Sequence, residues 1–247
     1  MQNAAMNIAH LLRRVALAAP DSPSILEGDR LHASHASWAD RVARAAQALR
    51  QQGLQPGDRV VLFMRNHPRY LEFMWAAWWA GLVVVPVNAK LHLKELQWII
   101  DNAQARWAFV SAELVPDPKA LSGLQGHTEV DSAQATDWLE QGLTLVPPQE
   151  RQADDTAWLF YTSGTTANPK GVLTSHLAVT MAALSNALGH GCTPGYTALV
   201  ALPLFHCAML NSVTTPVLLV GEKGTGRSLV AQVIHAASGA PEESLVR

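Results

Sequence analysis

The sequence predicts an α/β protein in which a parallel sheet carries helices on its faces, and three observations point to it. The runs RVVLF (59–63), VVVPV (83–87) and RWAFV (106–110) are apolar except for the arginines that open two of them, as strands buried on both faces are. The segments between them place apolar residues at helical spacing, and glycines and prolines mark the changeovers. Strands that alternate with helices pair in parallel, because each crossover helix packs back on the sheet.

Taken in order, MQNAAMNIAHLLRRVALAAP (1–20) sets its arginines inside an amphipathic pattern. It has no uninterrupted apolar core, so it reads as a helix of the mature protein rather than a signal sequence. Ser37 and Asp40 form a capping box, after which Trp38, Val42, Ala45 and Leu49 share one helical face until Gly53. The PGD turn at 56–58 leads into RVVLF. The next helix begins near Asn66 and Pro68, which suit a cap and a first turn, carries Tyr70 to Ala80 and stops at Gly81. Its Trp75, Trp78 and Trp79 resemble an aromatic ligand platform, but helix faces in such folds are buried, so core packing is expected. After VVVPV, LKELQWIIDNA (93–103) is a helix with Leu93, Leu96, Ile99 and Ile100 on one side. Residues 111–155 are weakly periodic, with prolines at 116, 118, 147 and 148, and read as a variable surface excursion.

Composition narrows the function. A formal net charge of −2 and a pI near 6.5 give no field to attract nucleic acid or anionic lipid. The uncharged run FMWAAWWAGLVVVPV (73–87) is shorter than the roughly 20 residues of a membrane span and is interrupted by Gly81 and Pro86, so no membrane span is expected. Cys192 and Cys207 match neither a metal-ligand spacing nor a disulfide framework, which fits a reducing, cytoplasmic setting.

The stretch YTSGTTANPKG (161–171) lies between AWLF and GVLT, two short runs rich in strand formers. Gly164 allows a sharp turn on which backbone amides converge, and Ser163, Thr165 and Thr166 add small hydroxyls, a donor set suited to a polyphosphate. Lys170, behind the rigid Pro169, supplies a compact positive charge. The spacing differs from Walker A, whose lysine directly follows its last glycine.

With its flanks, LFYTSGTTANPKG resembles the signature loop of the adenylate-forming superfamily, which includes acyl-CoA synthetases, luciferases and peptide-synthetase adenylation domains. The region SWADRVARAAQALRQQGLQPGDRVVLFMRNHPRYLEFMWAAWWAGLVVVPVN is similar to the family's N-terminal part, and LPLFH (202–206) to a downstream motif. The resemblance implies a doubly wound, mostly parallel sheet, an incomplete N-terminal domain of such an enzyme. It further implies an ATP-dependent acid–thiol ligase, an acyl-CoA synthetase of the kind used in fatty acid metabolism. Such a ligase uses ATP, Mg2+ and coenzyme A. It would hold the ATP phosphates with Thr162, Ser163, Gly164, Thr165, Thr166 and Lys170, and would line an acyl pocket with Phe205 and His206. Ala167 departs from the family's glycine. If the backbone there needs a positive φ, alanine costs about 1 kcal/mol.

The likeness covers residues 1–220, about half of a typical member. The motifs that hold adenine, magnesium and ribose, and the domain with the catalytic lysine, have no counterpart, so no catalytic residue and no metal ligand are assigned. Residues 221–247 form a separate tail. GEKGTGRS, with Gly221, Gly224, Gly226, Arg227 and Ser228, resembles a Walker A segment of AAA+ bacterial transcription activators, with arginine at the lysine position. A fusion or frameshift, a divergent tail, and a second phosphate loop are the three accounts of it. The expectation is a truncated ligase with little or no full activity. The alternative is a noncatalytic remnant or interaction module that at most binds ATP and self-associates through apolar surface.

Overall fold

A computed structural model describes residues 6–141, 146–162, 169–192, 197–198 and 203–206. Helix α1 (Ala9–Ala18) buries Leu12 and Val15. The short antiparallel hairpin β1 (Pro23–Glu27) and β2 (Arg30–Ser34) leads straight into α2 (His35–Gln51). Trp38, Val42, Ala45 and Leu49 are all buried on α2, as their spacing predicts. The helix starts earlier than its sequence suggests, however. Ser34, still extended at the end of β2, is the cap, and its hydroxyl accepts from the Ser37 amide while the Ser34 amide donates to Ser37 Oγ at 2.9 Å. Ser37 is therefore the inner partner of the capping box rather than its cap.

Strands β3 (Arg59–Phe63), β4 (Val83–Pro86) and β5 (Ala105–Val110) fall on the three apolar runs. They join β6 (Gly126–Glu129), β7 (Thr156–Thr162) and β8 (Lys170–Ser175) in one sheet of order β6-β5-β3-β4-β7-β8, parallel except for the β7–β8 pair. Val60, Leu62, Val84 and Phe109 point into one core with α1, α2, α3 (Pro68–Trp79) and α5 (Ala133–Glu140). Val61, Phe63, Val85 and Val110 point into a second core with Leu96, Ile99 and Ile100 of α4 (Leu93–Ala103). The two cores on opposite faces make the sheet doubly wound, in agreement with the sequence. Helix α6 (His176–Gly189) follows β8.

Four local readings are corrected. The excursion 111–155 contains β6 and α5, because GHTE pairs with β5 through its backbone and needs no apolar alternation to do so. Leu93, at the first turn of α4, is 40% exposed and does not share the buried face of Leu96. His67 caps α3, its Nδ1 accepting from the Arg69 amide at 3.0 Å, so Asn66 is left for another task. The elements β1, β2 and α6 have no counterpart in the sequence reading. Ile25 and Ala33 are the only buried residues of β1 and β2, and α6 is apolar on several sides, so neither carries a clean period.

The tryptophans of α3 are core. Trp75 and Trp78 are wholly buried, with Trp75 edge-on to Trp38 at 5.5 Å and to Trp78 at 5.3 Å between ring centroids. Trp78 Nε1 donates to the Ala157 carbonyl at 2.8 Å, which fixes α3 to β7, the strand that leads into the signature loop. Among the described residues no helix is long and apolar enough to cross a membrane.

Candidate functional site

In open α/β sheets, ligands bind beyond the carboxyl ends of the strands, where the winding direction reverses. That point lies here between β3 and β4, neighbours whose following helices, α3 and α4, pack on opposite faces. Because β7 is parallel to β4, it ends on the same edge.

The signature stretch is the connection between β7 and β8. The antiparallel register pairs Tyr161 with Gly171 and Thr162 with Lys170, so the lysine and the threonine face each other across its mouth, and both are exposed. Thr162 Oγ1 donates to the Lys170 carbonyl at 3.5 Å, a long bond that leaves the hydroxyl available to a better acceptor. Ser163, Gly164, Thr165, Thr166 and Ala167 lie outside the described residues.

The base of the hairpin is held from below by α4. The Tyr161 hydroxyl donates to Asn102 Oδ1 at 2.7 Å, and its ring stands edge-on to Trp98 with centroids 6.0 Å apart. Burial raises the pKa of this phenol above its ordinary value, against the opposing charge of Arg59, so it remains a neutral donor. Gly171 packs beneath it. A Cβ at that position would come within 2.9 Å of Leu159 Cδ1 and 3.4 Å of the Tyr161 ring. A side chain here would have to displace the tip of Leu159, so the glycine that closes the motif sits in a close-packed position, which the sequence reading did not assign.

The second motif reaches the same edge from far along the chain. The Leu204 side chain is buried in the larger core, and its amide donates to Asn66 Oδ1, just past β3, at 2.7 Å. The His206 amide donates to the Pro203 carbonyl at 3.1 Å, closing a turn. Phe205 is half-buried and His206 exposed, with ring centroids 6.3 Å apart. Gly221, Gly224, Gly226, Arg227 and Ser228 lie outside the described residues.

A polar cleft of about 340 Å³ opens near the N-terminus of α3, lined in part by Arg30, His32, Arg41, His67 and Arg69. Its arginines are already engaged. Arg41 Nε donates to Glu72 at 2.6 Å and its Nη1 to Glu140 at 3.0 Å, Arg69 binds the Val130 carbonyl and Thr136, and Arg30 pairs with Glu27. Burial of Glu72, which is 0% exposed, favours its neutral form. The hydrogen bonds from His32 and Arg41 outweigh that and hold its carboxyl below the usual range. This is a structural network joining β2, α2, α3 and α5. Among the described residues no group of three His, Cys, Asp or Glu side chains could hold a metal.

Comparison with known proteins agrees with this geometry. The family model described as AMP-binding enzyme matches residues 12–225. A feruloyl-CoA synthase from an Amycolatopsis species is 35% identical over 200 residues, covering 76% of this chain and 37% of the relative. The long-chain-fatty-acid–CoA ligase FadD13 of Mycobacterium tuberculosis is 29% identical over 217 residues, covering 84% of this chain and 42% of that ligase. Among solved structures, the o-succinylbenzoate CoA synthetase MenE of Bacillus subtilis, in complex with its acyl-adenylate intermediate, superposes with a TM-score of 0.76. Its identity is 23%, and the match covers 96% of this chain and 60% of that one. The chain thus spans about two-fifths of the length of the curated relatives it matches.

Proposed function

Because the chain belongs to the AMP-binding enzyme family, we propose that its signature hairpin binds the triphosphate of ATP and that it serves the activation of a carboxylic acid for transfer to coenzyme A. The carboxylate oxygen forms a bond to the α phosphorus of ATP, the bond to the bridging oxygen breaks, and pyrophosphate leaves with the electron pair. The thiol sulfur of coenzyme A then attacks the acyl carbon of the adenylate, and AMP departs. The names of the relatives, which cover an aromatic and a long-chain acid, favour an aromatic or fatty acid as substrate.

In this reading Thr162 to Thr166 and Lys170 hold the β and γ phosphates, where negative charge accumulates as pyrophosphate leaves. The observation that carries it is the register of Thr162 opposite Lys170 at the carboxyl edge of a doubly wound sheet, with Tyr161 and Gly171 fixing the base. Phe205 and His206 line the acid's pocket. Magnesium would accompany ATP and neutralise its phosphates, and the described residues offer no dedicated cluster for it.

Carboxylate-dependent exchange between ATP and pyrophosphate, with a panel of aromatic and fatty acids, tests the activation step, and calorimetric titration with ATP tests the hairpin. Lys170→Ala should weaken ATP binding roughly 10- to 100-fold, the range for losing a charge-assisted hydrogen bond, and abolish any exchange. ATP binding that is unchanged in Lys170→Ala removes the phosphate role of the hairpin. Failure of the folded wild-type chain to bind ATP removes the whole reading.

A further inference from the structure

We infer that Asn66 is a positioning residue of the acid pocket, holding the turn that presents Phe205 and His206. The inference rests on the ligase reading for its functional part only, since the contact stands by itself.

Asn66 lies between the carboxyl end of β3 and the cap of α3, at the reversal point of the sheet. His67 takes the capping role, which leaves the Asn66 carbonyl oxygen to accept the Leu204 amide at 2.7 Å across 138 residues of sequence. Leu204 is 4% exposed and packs into the same core as Leu62 and Phe73. The turn is therefore fixed at two points on one residue: the Leu204 side chain sets its depth and the hydrogen bond from its amide sets its orientation. Phe205 and His206 follow directly, so a rotation about the Leu204 anchor would carry both rings away from the carboxyl edge. Asn66 itself is exposed, so changing it leaves the core intact.

The bond to the Leu204 amide needs an acceptor oxygen at residue 66, and supplying or removing that oxygen separates a positioning role from a general structural one. Asn66→Ala removes the acceptor, and Asn66→Asp retains one in the same place. Both variants of the 247-residue chain would be compared with wild type by amide hydrogen exchange at Leu204, by thermal unfolding, and by titration with ferulate, palmitate and ATP. The expected result is exchange at Leu204 about tenfold faster in Asn66→Ala and near wild type in Asn66→Asp, with unfolding temperatures unchanged. The dissociation constant of whichever acid binds should rise about tenfold in Asn66→Ala, while that of ATP stays put. Equal exchange at Leu204 in wild type and Asn66→Ala would overturn the anchor. Faster exchange with unchanged acid affinity would overturn its role in the pocket, as would a parallel loss of acid and ATP affinity with a lowered unfolding temperature. If wild type binds ATP but neither acid, the pocket assignment fails, and exchange at Leu204 still decides the anchor.

Discussion

His176 illustrates how one buried residue sets a solution property of this protein. It is wholly buried at the start of α6, where its Nδ1 accepts the Ile8 amide at 3.3 Å and links the N-terminal segment to α6. That bond requires an unprotonated Nδ1, and among the described residues Nε2 has no hydrogen-bond partner. Burial, reinforced by the charge of Arg151 and opposed by Asp155, brings the imidazole from 6.5 down to about 4. Between these values the unfolded chain carries a proton that the folded chain refuses. Stability is therefore complete above pH 6.5 and falls as the pH drops toward 4, by up to about 3 kcal/mol. Urea unfolding of wild type and His176→Gln across this range checks the assignment. The variant should lose most of the slope, and an equal slope in both proteins would assign it elsewhere. Glu72, whose carboxyl is held below the usual range, adds its own loss only below about pH 4.5.

Strand β6 shows why an element can be invisible locally and still be well determined. GHTE has no apolar run, but its backbone pairs in parallel with β5 from Trp107 to Val110, and Thr128 is buried where its hydroxyl accepts from Trp107 Nε1 at 3.2 Å. Gly126 lies directly against the face of the Trp107 indole, leaving no space for a Cβ. The indole cannot retreat, since it is held by Thr128 and packs against Trp138 with centroids 5.6 Å apart. Gly126→Ala should accordingly destabilise the protein by about 1–3 kcal/mol through overpacking. Its denaturation midpoint measures this, and an unchanged midpoint would mean that β6 shifts freely along the sheet edge. The hairpin β7–β8 is the opposite case. Its strands and its motif were legible because a strand–loop–strand pattern and a run of glycine, hydroxyl and lysine residues are both local features.

At the scale of the whole molecule, the side of the sheet that ends in β8 differs from the rest. Val172 and Leu173 on β8, with Leu177, Met181 and Leu188 on α6, are exposed, Leu173 to 63%, whereas β3 and β4 are buried on both faces. Leu177, Met181 and Leu188 recur at helical spacing on one face of α6, and exposed apolar surface of this kind favours association. The chain should therefore self-associate with rising concentration, and Leu177→Lys combined with Met181→Lys should shift it toward monomer. Sedimentation velocity across a concentration series reads this directly, and a wild-type chain that stays monomeric throughout would exclude it. Loss of ATP binding in the double variant would separately indicate damage to the nearby hairpin rather than to an interface.

The sequence by itself determined the parallel core, with RVVLF matching β3 residue for residue, the buried tryptophans of α3, and the hairpin setting of the signature motif. These follow from composition and periodicity, because a strand buried on both faces or a helix with one buried face must carry its environment in consecutive residues. It also carried the family, through the motifs at 161–171 and 202–206, which lie within the matched residues. The tertiary structure decided the rest: β6 as a sheet strand, Ser34 rather than Ser37 as a cap, the close packing of Gly171 on Leu159 and Tyr161, and the reach of Asn66 to Leu204. Each of these depends on a partner brought close by the fold, and a residue whose side chain or backbone answers to a distant segment carries no local pattern that names that segment.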